Sequence, residues 1–139
     1  MIKIEKMDDF TKKKKYPPTP AQWQAIALTG ADVLVAAAAG SGKTEVLSER
    51  IARKVALDRW DIDKLLVLTF TTAAAKNMLV RVENKITERL LASGLEEDRL
   101  FLRKQSMLMN DAYVSTIDSF CLNILRKFYY LVEEEIAGS

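Results

Sequence analysis

Residues 36–44 read Ala36-Ala37-Ala38-Ala39-Gly40-Ser41-Gly42-Lys43-Thr44, set between an apolar run, Val33-Leu34-Val35, and an amphipathic stretch opening at Glu45. Apolar strand, glycine turn and helix in that order make the phosphate-binding P-loop. Gly40 and Gly42 let the backbone curl so that its N–H groups face phosphate oxygens. The helix that follows adds the positive end of its dipole. Lys43 supplies charge for the outer phosphates, and the Thr44 hydroxyl can ligate Mg²⁺. Ala39, Gly40, Ser41, Gly42, Lys43 and Thr44 are therefore the expected triphosphate ligands, with Thr44 the metal ligand. The G-x-x-x-x-G-K-[ST] spacing puts its first glycine where this chain has Ala37.

Working outward, Thr19 is a good N-cap, Pro20 fits the first helical position and Gln22 stands where a capping box wants glutamine. This predicts a helix from there to about Thr29, stopped at Gly30. Asp32 to Ala36 is almost wholly apolar, as a buried parallel strand would be. A helix from the P-loop to about Leu57 places Val46, Leu47, Ile51 and Val55 on one face. Leu65-Leu66-Val67-Leu68 predicts a second buried strand, ending in Thr69-Phe70-Thr71-Thr72. A long helix follows to about Ser93, with Met78, Val82, Ile86 and Leu90 at i, i+4 spacing, a charged polar face and Gly94 as its stop. Another helix, from Glu96 to about Met109, carries Leu100, Met107 and Leu108, the methionines reading as core or interface filler. Asp111 to Ser115 is a third, shorter strand. The last helix, from Ile117 to about Val132, shows Phe120, Ile124, Leu125 and Phe128 as its apolar face. Strands alternating with helices predict an α/β fold, a parallel sheet flanked by helices.

At 139 residues the chain is one domain, large enough to bury a core without disulfides or metals. No apolar run approaches the ~20 residues that span a bilayer, so no membrane partner is expected. Cys121 is the only cysteine, which makes a reducing cytoplasm the default. Histidine is absent altogether, and with it Ser-His-Asp catalysis, Cys-His catalysis and His-ligated zinc. The net charge of +2 hides an uneven distribution. Residues 1–16 hold six lysines against Glu5, Asp8 and Asp9, whereas the remainder has 15 basic and 16 acidic residues. Residues 1–16 thus read as a basic, disordered arm. Its run Lys12-Lys13-Lys14-Lys15 is either a solvated leader or a contact for nucleic-acid phosphates. The folded domain is expected over residues 17–139.

Many enzymes own a P-loop, so function must come from its company. The order Gln22-Trp23-Gln24-Ala25-Ile26, the P-loop, Thr69-Phe70-Thr71-Thr72-Ala73-Ala74-Ala75 and Ser115-Thr116-Ile117-Asp118-Ser119-Phe120-Cys121 resembles the UvrD-like superfamily 1 DNA helicases. Within them the Ala-rich P-loop and the Ser-Thr-Ile-Asp-Ser-Phe-Cys segment point to the AddA/RexA-type helicase–nuclease branch. The resemblance covers about Thr19 to Tyr130. It implies a RecA-like partial motor domain, ATP and Mg²⁺ as cofactors, single- and double-stranded DNA as partners, a second subunit of AddB/RexB type and the bacterial cytoplasm. By the same resemblance Gln22 reads adenine, a role for which a primary amide suits because it both donates and accepts. The alternative is that Gln22 merely completes the capping box. Thr69, Phe70 and Thr71 correspond to a motif that touches single-stranded DNA, hydroxyls to phosphate and ring to base. The bland alternative makes Phe70 core and the threonines helix caps. Thr116 and Ser119 match positions near the DNA backbone. Asp118 replaces the usual histidine, and its carboxylate is expected to cap the last helix. Asn77 stands where relatives commonly have glutamate.

Hydrolysis needs more than these motifs: an acidic Asp-Glu pair after an apolar strand, and arginines from a second lobe. The adjacent acids Glu133-Glu134 follow Tyr129-Tyr130-Leu131-Val132, but that stretch continues a helix pattern. The resembled family carries its acidic motif, second lobe and nuclease domain beyond this length. The expectation is an N-terminal piece of a motor, truncated before the acidic motif, that binds nucleotide weakly and does not unwind DNA alone. The rival is a stand-alone P-loop regulatory module or small P-loop kinase. A kinase would want several lid arginines, and beyond residue 90 the chain offers only Arg99, Arg103 and Arg126.

Overall fold

A computed structural model describes residues 1–36 and 42–138. In chain order the elements are β1 (Lys3–Ile4), α1 (Asp9–Lys12), α2 (Pro20–Ala27), β2 (Leu28–Thr29), α3 (Lys43–Ala56), β3 (Leu66–Thr69), α4 (Thr72–Ala92), α5 (Glu96–Leu108), β4 (Tyr113–Thr116) and α6 (Ile117–Ala137). Short 3-10 turns cover Ile62–Lys64 and Met109–Asp111. β3 and β4 pair in parallel, Leu66 opposite Tyr113 through Thr69 opposite Thr116. Parallel neighbours need a long crossover, and α4 with α5 provides it. β1 and β2 pair antiparallel, Lys3 opposite Thr29 and Ile4 opposite Leu28. The described strands thus form two two-stranded sheets rather than the single sheet the alternation predicts.

The main core gathers Ile51 and Val55 of α3, Val67 of β3, Met78, Val82 and Ile86 of α4, Leu102 of α5, and Ile62 and Met109. A smaller cluster joins Trp23, Ile26 and Ala27 of α2 to Val46 of α3. The i, i+4 row of α4 therefore faces inward as its spacing dictates. On α5 the inward row is different. Leu102 and Gln105 are buried, whereas Leu100 and Met107 face solvent. Gln105 belongs inside because both ends of its amide are used: Oε1 accepts from the Ile62 N–H at 2.7 Å, and Nε2 donates to Asp61 at 2.7 Å. A buried amide so satisfied is tolerated, and no hydrophobic pattern reveals it.

Four further expectations are corrected. Asp32 to Ala36 carries no strand, and Leu34 is 94% exposed. A strand needs a ladder partner, and among the described residues no strand pairs with this segment. The face expected on α6 is unburied: Ile124, Leu125 and Phe128 are exposed. Gly94 is not the stop of α4. Extended backbone at Ser93 ends the helix, and a Cβ on Gly94 would meet nothing within 4 Å. Thr116, not Asp118, caps α6, accepting from the Ser119 N–H at 3.1 Å. Threonine, at the position just before the helix, has the extended backbone that an N-cap requires.

Residues 1–16 carry β1 and α1 and reach α3 and α4 through side-chain contacts. Thr11 is fully buried, and Asp8 caps α1 by accepting from its N–H and hydroxyl. The Trp23 indole donates to the Glu5 carbonyl at 2.8 Å. Arg53 of α3 reaches Glu5 at 2.8 Å and Asp8 at 3.2 Å, and Arg89 of α4 approaches Asp8 at 3.9 Å. Lys14 is paired with Glu49, so one member of the lysine run is not a solvated charge.

These ion pairs set a pH range. Burial pushes the Glu49 carboxyl up, but hydrogen bonds from Lys14 and Lys85 outweigh it and hold Glu49 below the usual carboxylate range. Burial likewise raises Asp8, and the Thr11 bond with the Arg89 charge brings it lower. Burial lowers Lys85, while Glu45 and Glu49 more than reverse this and raise it. A carboxyl depressed by folding stabilises fully above ~pH 4 and loses that contribution as pH falls through its folded value. A raised lysine stabilises below about pH 10.4 and loses that contribution as pH rises through its folded value. Thermal melts should plateau between about pH 5 and pH 10, with Tm dropping below about pH 4. A Tm flat down to about pH 2 would contradict this account.

Candidate nucleotide and nucleic-acid site

Gly42 is the N-cap of α3, with φ of +84° and no side-chain cap. Glycine adopts this left-handed backbone without strain. Its carbonyl accepts the first helical bond, from Val46 N–H at 3.0 Å. Lys43, Thr44 and Glu45 then occupy the exposed first turn, where backbone N–H groups lack helical partners. Ala39, Gly40 and Ser41 lie outside the described residues, so nothing structural is said of their part in the loop. A Cβ on Gly42 would come within 3.2 Å of Gln22 Nε2. Gln22, distant in sequence, is thus brought to the end of the P-loop.

Gln22 also completes the capping box. Its Oε1 accepts from the Thr19 N–H at 2.9 Å, and its own N–H donates to Thr19 Oγ1 at 3.2 Å. In this state the carbonyl end of the amide serves the cap while the nitrogen lies beside Gly42. Arg50 fixes the two helices together. Its guanidinium donates to the carbonyls of Ala25, Ile26 and Leu28, at 3.0, 3.3 and 2.7 Å, closing the C-terminal end of α2 from α3. Sequence reading missed Arg50, because an arginine serving distant carbonyls leaves no local signal.

The residues fit a Mg²⁺-bound triphosphate. An exposed ammonium, a hydroxyl and a free helix start converge at Lys43 and Thr44. No group of three or more acidic or thiol side chains could hold a metal among the described residues.

The second cluster forms where β3 and β4 end side by side. Thr69 and Thr116 are register partners, so two motifs far apart in sequence share one strand edge. The Thr69 hydroxyl lies 3.0 Å from the Thr71 carbonyl and 3.4 Å from that of Ser115. Thr71 caps α4, accepting from the Ala74 N–H at 3.1 Å. Thr116 caps α6 and donates to Ser119 Oγ at 2.9 Å. Thr71 is therefore a cap, as the bland alternative held, and Thr116 takes the capping place expected of Asp118. Phe70 is not core: it is 92% exposed. An aromatic ring in solvent beside two helix starts has no structural task here. Asn77 accepts from Arg81 Nε at 3.3 Å, and Asp118 sits exposed in the first turn of α6. Glu133 and Glu134 lie within α6, so no strand presents them.

With this geometry in place, comparison identifies the class. Residues 18–137 match the UvrD/REP helicase N-terminal domain, and the chain belongs to that family. The similar proteins are named as subunits of an ATP-dependent helicase/nuclease. That of Geobacillus thermodenitrificans is 53% identical over 117 residues, covering 83% of this chain and 9% of that protein. That of Bacillus licheniformis is 45% identical over 131 residues, 93% of this chain and 10% of that protein. That of Lactobacillus gasseri is 45% identical over 127 residues, 91% and 10% respectively. The chain spans about a tenth of the length of the curated relatives it matches. Among the described residues no helix is long and apolar enough to cross a membrane.

Proposed function

We propose that this chain is the ATP-binding, single-stranded-DNA-contacting segment of an ATP-dependent DNA helicase/nuclease, working in double-strand-break repair and recombination in the bacterial cytoplasm. Lys43 and Thr44 hold the outer phosphates and Mg²⁺, with Gly42 opening the helix beneath them. Gln22, beside Gly42, exchanges its cap bond for the adenine edge when nucleotide arrives. Bound Mg²⁺ would supply charge neutralisation of the phosphates. Thr69, Phe70, Thr71, Thr116 and Ser119 contact the DNA strand. Duplex DNA is the substrate of the parent, and a protein of AddB/RexB type its partner.

The observation that carries the DNA reading is the register pairing of Thr69 with Thr116, with exposed Phe70 beside it. Two capped helix starts on one edge present N–H groups and hydroxyls to phosphate. A solvent-facing ring supplies a sequence-tolerant stacking platform. Unwinding by the parent would draw on an acidic pair and arginines besides these motifs.

Fluorescence anisotropy with a short single-stranded oligonucleotide, titrated against salt, tests this. Affinity should fall steeply with salt. Phe70→Ala should weaken binding by about tenfold, the value of one base stack. No binding at any salt concentration would favour the rival, a nucleotide module without a DNA role.

A further inference from the structure

Two polar stripes face one another where α3 packs on α4. Glu45, Glu49 and Arg53 recur every four residues on α3, and Asn77, Arg81, Lys85 and Arg89 do so on α4. Four-residue spacing keeps each set on one helix face. The stripes interleave. Arg81 Nη1 reaches Glu45 Oε2 at 2.9 Å, and Lys85 bridges Glu45 and Glu49, the latter at 2.9 Å. Asn77 holds the other side of the Arg81 guanidinium.

Burial separates the two rungs. Glu49 and Lys85 are almost wholly buried, so their contact is a fixed part of the interior. Glu45 and Arg81 are the open end, with side chains 49% and 41% exposed. An exposed pair contributes little stability, so its placement is the more informative fact. Glu45 directly follows Thr44. Arg81 stands midway along α4, the helix whose start Thr71 caps beside the strand ends bearing Thr69 and Thr116.

We infer that Glu45, held by Arg81 and Lys85, is a positioning residue that links nucleotide occupancy at the start of α3 to the middle of α4. The inference rests on the nucleotide-binding reading above. The physical cause is competition. A triphosphate settling beside Lys43 and Thr44 brings negative charge next to the Glu45 carboxylate, and the two anions compete for Arg81 and Lys85. A ligand that changes those contacts acts on α4 without touching it.

Hydrogen exchange of the 139-residue chain, with and without Mg·ATP, tests the link. In the wild type, exchange should slow at amides 46–50 of α3 and, about fivefold or more, at amides 76–82 of α4. In Glu45→Gln the α3 response should persist and the α4 response disappear. Arg81→Met, at an exposed position that leaves the buried Lys85–Glu49 rung intact, should give the same loss. An α4 response undiminished in either variant overturns the inference, as does a wild type in which α3 responds and α4 does not. If neither helix responds in the wild type, the nucleotide-binding reading itself is wrong and the link falls with it.

Discussion

Lys43→Ala is expected to weaken Mg·ATP binding by about 100-fold, which for a weak site means loss of detectable binding. A charge-assisted hydrogen bond contributes about 1.5–3 kcal/mol, and 1.4 kcal/mol is a factor of ten in affinity. The upper end applies because Lys43 opens the helix, where its ammonium adds to N–H groups and dipole aimed at the same phosphates. Among the described residues Lys43 makes no salt bridge and its side chain is exposed. The substitution should therefore leave the helical circular dichroism and Tm unchanged. Titration of a fluorescent nucleotide in the presence of Mg²⁺ is the measurement. Wild-type affinity in the variant would place the phosphates elsewhere.

What could be read from the sequence divides along a physical line. The α2 cap was legible because Thr19, Pro20 and Gln22 act through bonds spanning three residues. The Leu66–Thr69 strand and the inward row of α4 were legible because one face or one short run carries the signal, although the strand is not buried on both faces as expected, since Leu66 and Leu68 are exposed. Asp32 to Ala36 misled, since apolar composition says that a strand could be buried, not what would pair with it. The apolar face of α6 misled likewise: its amphipathicity is present without a partner among the described residues. The site shows the same split. Lys43 and Thr44 are local motif residues, whereas Arg50 and the Glu45–Arg81 pair act across the packing of separate helices. The four-residue spacings of Glu45, Glu49 and Arg53 and of Asn77, Arg81, Lys85 and Arg89 drew no reading from the sequence, because only the packing of α3 on α4 shows that they meet. Gln22 belongs to both kinds, a local cap placed by tertiary packing beside Gly42.

The N-terminal arm yields the other large effect: Asp8→Ala should lower stability by about 3 kcal/mol. Asp8 joins three elements. It caps α1, accepts from the Thr11 hydroxyl at 2.8 Å, and faces both Arg53 and Arg89. Those arginines retain only 9% side-chain exposure each, so water does not replace a lost carboxylate readily. Removing one partner of a buried pair costs more than the pair contributes, because the remaining charge stays desolvated. The two arginines are not equally placed. Arg53 keeps Glu5, at 2.8 Å, whereas Arg89 already lies below its ordinary range through burial, despite the Asp8 charge that raises it. Most of the loss should therefore come from Arg89 and the cap. Asp8→Asn, whose one amide oxygen can still accept from the Thr11 N–H, should recover the cap contribution, about 1 kcal/mol. Urea denaturation of the wild type and both variants separates these parts. If Asp8→Ala unfolds at the wild-type midpoint, residues 1–16 do not clamp α3 to α4, and the basic run is a solvated leader after all.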